Sequence, residues 1–278
     1  MMLDAGIFMQ NAGKIYRNQN GDKCALRDIT LSIRPGEYVG LMGMNGSGKS
    51  TLARLCNGLL VPTAGKVYVN GLDTRQAENL QEIRQLVGMV FQNPDNQLIC
   101  PVVEEEIAFG LENLGLPLPE IRERTAWALE IMGLTALKQH APHLLSGGQK
   151  QKVALASVLA MTPAYLVLDE PAAMLDPVSR RELLQHLQIL NRREGMTIVL
   201  CSNEAEDFMD ADRLLVIDQG SIYLQGTPPE IFVQGTELAA IGLAQPEFYR
   251  LRQRLADTGW PVAEINNLTD LVDLICQP

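Results

Sequence analysis

The chain has 278 residues, 46% of them hydrophobic and 20% charged, and carries a net charge of −10. That is the composition of a soluble globular protein with room for one large domain or two small ones. It argues against a nucleic-acid partner, because phosphate backbones are bound mainly by Lys and Arg that release counterions; no apolar run approaches the roughly 18 residues of a membrane span, and Asp4 near the start predicts no secretory leader.

In chain order, the first strong element is "EYVGLMG", Glu37 to Gly43, which reads as a buried strand. It runs into "GMNGSGKST", Gly43 to Thr51, which fits G-x-x-x-x-G-K-[ST]. Glycines let the backbone curl so that successive N–H groups point at phosphate oxygens, and the helical run "KSTLARLCNGL" adds its positive end. Gly43, Asn45, Gly46, Ser47, Gly48 and Thr51 are therefore candidate cradle residues, with Lys49 reaching the β- and γ-phosphates and Ser50 offering a hydroxyl to Mg²⁺. A chance match somewhere in a chain of this length is roughly one in a hundred, and the flanking strand and helix make chance rarer still.

From Gln92 to Met161 the pattern becomes helical. Pro119 suits a first turn, and Ile121, Thr125, Ala128, Leu129 and Met132 recur on one face. Near the end of this region stands "LLSGGQKQKVALASVLA", Leu144 to Ala160. Ser146, Gly147, Gly148 and Gln149 open a helix whose apolar stripe is Val153, Leu155, Ala156 and Leu159. Its N-terminus, carrying about half a positive charge, is a second candidate phosphate site. Alone, the stretch would read as an ordinary capped helix.

Next comes "YLVLDEP", Tyr165 to Pro171, an apolar strand that delivers two adjacent carboxylates. Asp169 suits Mg²⁺ held through water, and Glu170 suits a base that polarises the attacking water. "MTIVLCSN" and "DRLLVIDQG" read as further strands. The alternation predicts an α/β fold with a mostly parallel sheet across residues 1–235, and a helical subdomain inserted at about 93–162. From 236 to 278, scattered Leu238, Ile241, Phe248, Leu251 and Leu255 predict short helices. Five cysteines without a C-x-x-C pair predict reduced, mostly buried thiols, and His140, His143 and His186 match no metal spacing.

A P-loop, then L-S-G-G-Q about a hundred residues on, then the D-E pair, resembles the ATP-binding-cassette ATPases from about Ile7 to Gln234. The resemblance implies a P-loop NTPase core, with ATP and Mg²⁺ as cofactors. It also implies that Tyr16 stacks on adenine, that Gln92 in "MVFQNPDNQ" serves the metal and the attacking water and links them to a transport partner, and that Asp176 touches an opposite subunit. Two such cassettes dimerise head to tail, so the Ser146 helix of one closes over the ATP of the other. "VFQNPDNQLICPVVEEEIAFGLENLGLP", Val90 to Pro117, is similar to the ATPase subunits of energy-coupling-factor transporters, which import vitamins or cobalt and nickel ions. That narrower resemblance implies a second cassette, identical or different, an integral membrane coupling subunit and a substrate-binding membrane subunit. It places the chain peripherally on the cytoplasmic face of the cell membrane. The surface from Gln92 to Gly115 would receive the coupling helices, Glu104 to Glu106 are read as a solvated helix face, and the tail would contribute to dimer contacts.

"TIVLCSNEAED", Thr197 to Asp207, departs from the family, since Asn203 stands where a histidine contacts the γ-phosphate and the attacking water. An amide donates a neutral hydrogen bond but carries no charge and shuttles no proton. The expectation is catalysis slowed roughly 10- to 100-fold, with Glu170 and Lys49 intact. The alternatives are that Asn203 only caps the following turn, or that the chain is a regulatory nucleotide-binding cassette with weak hydrolysis. Ala172, where relatives often carry Ser or Thr, removes one contact near the expected interface.

Overall fold

A computed structural model describes residues 5–18, 21–262, 265 and 268–276. The chain starts with two long strands, β1 (Ile7–Asn18) and β2 (Gly21–Ile33), paired antiparallel. It then crosses to β3 (Tyr38–Met42) and α1 (Lys49–Cys56), and returns through β4 (Ala64–Val69) and β5 (Leu72–Asp73). The order β2-β1-β4-β5 makes a four-stranded antiparallel sheet. The sequence pattern did not reveal it, because shifts of register near Asn11 and Ala12 interrupt the two-residue alternation of β1.

The second sheet is mostly parallel, as the alternation predicts. After α2 (Leu80–Leu86) comes β6 (Val87–Val90), then three helices: α3 (Val103–Asn113), α4 (Leu118–Ile131) and α5 (Gly147–Ala160). β7 (Tyr165–Asp169), α6 (Pro177–Glu194), β8 (Thr197–Ser202), β9 (Arg213–Asp218) and β10 (Ser221–Gly226) complete it in the order β10-β9-β3-β8-β7-β6. Only β10 runs antiparallel to its neighbour.

β3, β7 and β8 are buried along their whole lengths, as strands covered on both faces must be. Alternate residues serve opposite cores. Leu166, Leu168, Ile198 and Leu200 face a core shared with α3, α5 and α6; Tyr165, Val167, Val199 and Cys201 face one shared with α1 and the antiparallel sheet. Helix α1 is thus sandwiched, touching β7 and β8 on one side and β4 and β2 on the other, which fixes the loop at its start.

α3, α4 and α5 pack on one another, and α4 buries Ile121, Thr125, Ala128 and Leu129 with Met132 just beyond its end, the face the spacing predicts. One expectation fails here. Glu106 is not solvated with Glu105 but only 4% exposed, and its Oε2 accepts the N–H groups of Ile99 and Cys100, each at 2.7 Å. Two charge-assisted bonds to otherwise unmet backbone donors offset its desolvation.

After β10 the chain continues in α7 (Pro228–Phe232), α8 (Gly235–Ala240), α9 (Glu247–Asp257) and α10 (Leu268–Cys276). Leu238 is buried, whereas Leu251 stays exposed and Tyr249 takes the inner face of α9, its ring 5.4 Å from that of Phe232. Cys56 and Cys201 are fully buried, and burial pushes the Cys56 thiol up to about 12. Cys24 and Cys100 are half-buried and Cys276 is exposed. No helix among the described residues is long and apolar enough to cross a membrane.

Candidate active site

The site lies at the C-terminal ends of β3 and β7, where ligands of parallel sheets bind. Between β3 and α1 the chain turns through Gly46 at φ +83° and Gly48 at φ +119°. A side chain is excluded at Gly48, where a Cβ would stand 2.7 Å from the Ala25 carbonyl oxygen. At Gly46 a Cβ would meet nothing within 4 Å, so that peptide faces open space. Asn45 is exposed at the tip, and Ser47 is buried, its N–H donating to the Met44 carbonyl at 3.1 Å. No side chain caps the N-terminus of α1, which leaves its positive end to an anion.

Lys49, only 3% exposed, donates from Nζ to the Gly43 carbonyl at 2.7 Å and the Met44 carbonyl at 3.3 Å. Its third partner is Glu170, with Oε1 at 3.2 Å. Three oxygen neighbours offset the desolvation of this buried ammonium and fix its position. Glu170 itself sits in the left-handed region at φ +52°, with its N–H donating to the Cys201 carbonyl at 3.0 Å. This uncommon backbone swings the carboxylate off the strand axis toward the loop. Its other oxygen, Oε2, accepts from Gln92 Nε2 at 3.1 Å.

Ser50 Oγ donates to Asp169 Oδ1 at 2.7 Å, and Arg54 lies 3.8 Å from Oδ2. Burial raises the Asp169 carboxyl above its ordinary value, while the Ser50 hydroxyl and Arg54 pull it back down. The donor set is one hydroxyl and one carboxylate, both hard oxygens. Among the described residues no group of three or more His, Cys, Asp or Glu side chains could hold a metal, so a cation here would complete its shell from water and phosphate. That suits Mg²⁺, which keeps its waters and takes few protein ligands.

Tyr16 and Thr51 flank the cleft, the phenol oxygen 3.3 Å from Thr51 Oγ1, with Lys14 Nζ 5.7 Å from the ring centroid. Lys23 and Ala25 complete the cleft and were not anticipated. Lys23 comes there because β2 pairs it directly with Tyr16 across the strand ladder, a relation visible only once β1 and β2 are paired. The structure thus gathers Tyr16, Lys49, Ser50, Thr51, Gln92, Asp169 and Glu170 around one loop.

Ser146, Gly147, Gly148 and Gln149 do not line that cleft. Ser146 and Gly147 are exposed. Ser146 Oγ accepts from the Gln149 N–H at 3.3 Å and Gln149 Oε1 accepts from the Ser146 N–H at 2.9 Å, a capping box that starts α5. Gly148 packs against Ser179, whose hydroxyl would lie 2.7 Å from a Cβ. Asp176 caps α6, accepting from the N–H groups of Val178 and Ser179 and from the Ser179 hydroxyl. Asn203 is exposed and its side chain makes no hydrogen bond among the described residues; the local turn is held by Ser202, whose Oγ accepts from the Glu204 N–H at 3.1 Å.

Residues 26–173 match the family model described as ABC transporter. The chain is 51% identical over 256 residues to the energy-coupling factor transporter ATP-binding protein EcfA1 of Symbiobacterium thermophilum, covering 92% of this chain and 89% of that one. It is 47% identical over 253 residues to EcfA1 of Caldanaerobacter subterraneus subsp. tengcongensis, covering 91% of each. Among solved structures, cbiO1 from Clostridium perfringens, part of the ABC transporter complex cbiONQ, superposes with a TM-score of 0.77 at 34% identity, over 90% of this chain and all of that one. The dimeric cassette MJ0796 in a post-hydrolysis state with ADP and Pi gives 0.74 at 29% identity, over 80% of this chain and 98% of that one.

Proposed function

Because this chain belongs to the ABC transporter family and, within it, to the energy-coupling factor ATP-binding proteins, we propose that it is the ATP-hydrolysing subunit of a micronutrient importer. The observation that carries the reading is the convergence of Lys49, Gln92 and Glu170 beside the Ser50–Asp169 pair. Bound ATP with Mg²⁺ supplies the phosphoanhydride bond and the cation that neutralises its oxygens.

The chain's own residues supply the rest. The open peptides at Gly46 and the uncapped start of α1 bind phosphate oxygens, with the ammonium of Lys49 as fixed counter-charge. Ser50, together with Asp169 and Gln92, would hold that cation through hard oxygen donors. Glu170, aimed by Gln92, takes the proton from the attacking water on a carboxylate oxygen, a role worth about 10²- to 10⁴-fold in rate. Tyr16 offers its ring face to the base. The Ser146 helix end, exposed and away from its own cleft, suits the partner's nucleotide, so two cassettes complete two sites. Asn203 gives that site a neutral amide in place of an imidazole, which sets a slow turnover rather than none.

The same reading divides the chain into a cassette over residues 1–235, with helices inserted at about 93–162, and an extension over 236–278 that contributes to pairing. The partners are a second cassette, an integral membrane coupling subunit and a substrate-binding membrane subunit, with this chain peripheral on the cytoplasmic face. The cbiONQ complex of the relative supports that assembly. Affinity purification of the full chain from detergent-solubilised membranes tests it. The reading expects hydrophobic membrane subunits and Mg²⁺-dependent phosphate release to co-purify; a chain that isolates alone and releases no phosphate overturns it.

A further inference from the structure

Gln92 hangs from a short loop, and what holds that loop is unusual. The peptide group on either side of Phe91, the residue just before it, is gripped from two directions. The Phe91 N–H donates to Gln97 Oε1 at 3.3 Å, and Gln97 Nε2 donates in turn to the Ala154 carbonyl of α5 at 3.4 Å. The Phe91 carbonyl accepts from Gln151 Nε2 at 3.4 Å, and Gln151 also belongs to α5, where it is only 1% exposed. Lys150, between the cap and Gln151, holds Asp95 at 2.7 Å.

We propose that Gln151 and Gln97 are positioning residues that clamp the Phe91 backbone to α5 and so set the reach of Gln92 to Glu170. The inference rests on the function proposed above. An amide side chain is the group the clamp needs, because it can meet a carbonyl or an N–H without bringing a charge into a buried site. The bonds are long and individually modest, so the clamp holds the loop at a set point without making it rigid. Since α5 begins at Ser146, the helix end that faces a partner and the amide that aims the base are joined through one turn of helix and two side chains.

The test is Gln151→Met, which keeps the length and removes the donor, and Gln97→Met as a second variant should the first fail to fold. Two readouts are made on the full chain. Without nucleotide, amide exchange at Phe91, whose N–H is held by Gln97, should rise about fivefold, the effect of one neutral hydrogen bond, while α5 amides stay as they were. A rise across the whole helical region instead would mean a merely structural role and overturn the clamp. In steady-state hydrolysis, kcat should fall about fivefold with KM for ATP within twofold. The same substitution placed on Gln92→Ala should have no further effect on kcat, because the clamp acts through Gln92. Additive losses overturn the inference while leaving the ATPase reading intact; an unsubstituted chain with no hydrolysis in any assembly overturns both.

Discussion

Gln92 donates to Glu170 at 3.1 Å while Lys49 stands 3.2 Å from the other oxygen of the same carboxylate. The contact from Gln92 joins loops that are 78 residues apart in the chain. Glu170 is therefore aimed from both sides, and its backbone at φ +52° holds it in that direction. Replacing it with Gln keeps the hydrogen bond from Gln92 only by turning the amide, and removes the base. Glu170→Gln should lower ATP turnover by about 10²- to 10⁴-fold with nucleotide affinity retained. Phosphate release and equilibrium binding measured side by side check it; undiminished turnover would mean that Glu170 is not the base.

Ser50 and Asp169 form the other half of the site. If Asp169 steadies the cation through its water shell, Asp169→Asn should raise the Mg²⁺ concentration for half-maximal hydrolysis on the order of 10- to 100-fold. A titration of activity against free Mg²⁺ reads this directly, and an unchanged midpoint would remove Asp169 from the metal site.

Gly46 and Gly48 should respond differently to the same change. Gly48→Ala meets the Ala25 carbonyl oxygen at 2.7 Å and a disfavoured backbone, so it should lose stability, by more than about 1 kcal/mol. Gly46→Ala shares the backbone penalty, at φ +83°, but its Cβ meets no atom within 4 Å and stands beside the proposed phosphate cradle. It should lose nucleotide affinity out of proportion to its stability. Thermal unfolding with and without ATP separates the two.

Glu106 anchors the segment between the loop of Gln92 and α3. Glu106→Ala would leave the Ile99 and Cys100 N–H groups without their acceptor, at a cost of about 1–3 kcal/mol. The urea midpoint should fall accordingly, and a variant as stable as the parent would show that water replaces the carboxylate.

The chemistry of this site was legible because its requirements are local. A phosphate loop needs glycines and a lysine in nine consecutive residues, and Gly43 to Thr51 supply them. Asp169 ends, and Glu170 follows, a strand whose burial on both faces is written in its composition. What stayed hidden depends on pairing between distant segments. The β2-β1-β4-β5 sheet was masked by bulges and by positive φ at Asn11 and Asp28. Lys23 reaches the cleft only through that sheet. Glu106 resembled its solvated neighbours, because nothing next to it in sequence announces the two N–H groups that come back to meet it. Gln97, in a turn, and Gln151, on α5, meet Phe91 from different segments, and single glutamines carry no signal of their own.

Asn203 stands where the family resemblance expects a histidine, and its exposed side chain makes no hydrogen bond among the described residues. The turn is held by Ser202, whose Oγ accepts from the Glu204 N–H, and not by Asn203. Asn203→His should raise turnover roughly 10-fold or more. No increase in the assembled complex would contradict the slowed-site account.

The central claim is that Lys49 grips a triphosphate which the Ser146 helix of another cassette then covers. Binding of ATP to the full chain and its turnover in the assembled complex, compared for Lys49→Ala and Ser146→Arg, test it most directly. The account predicts that Lys49→Ala abolishes binding, while Ser146→Arg binds ATP normally and loses turnover. Unchanged binding by Lys49→Ala, or full turnover by Ser146→Arg, would contradict it.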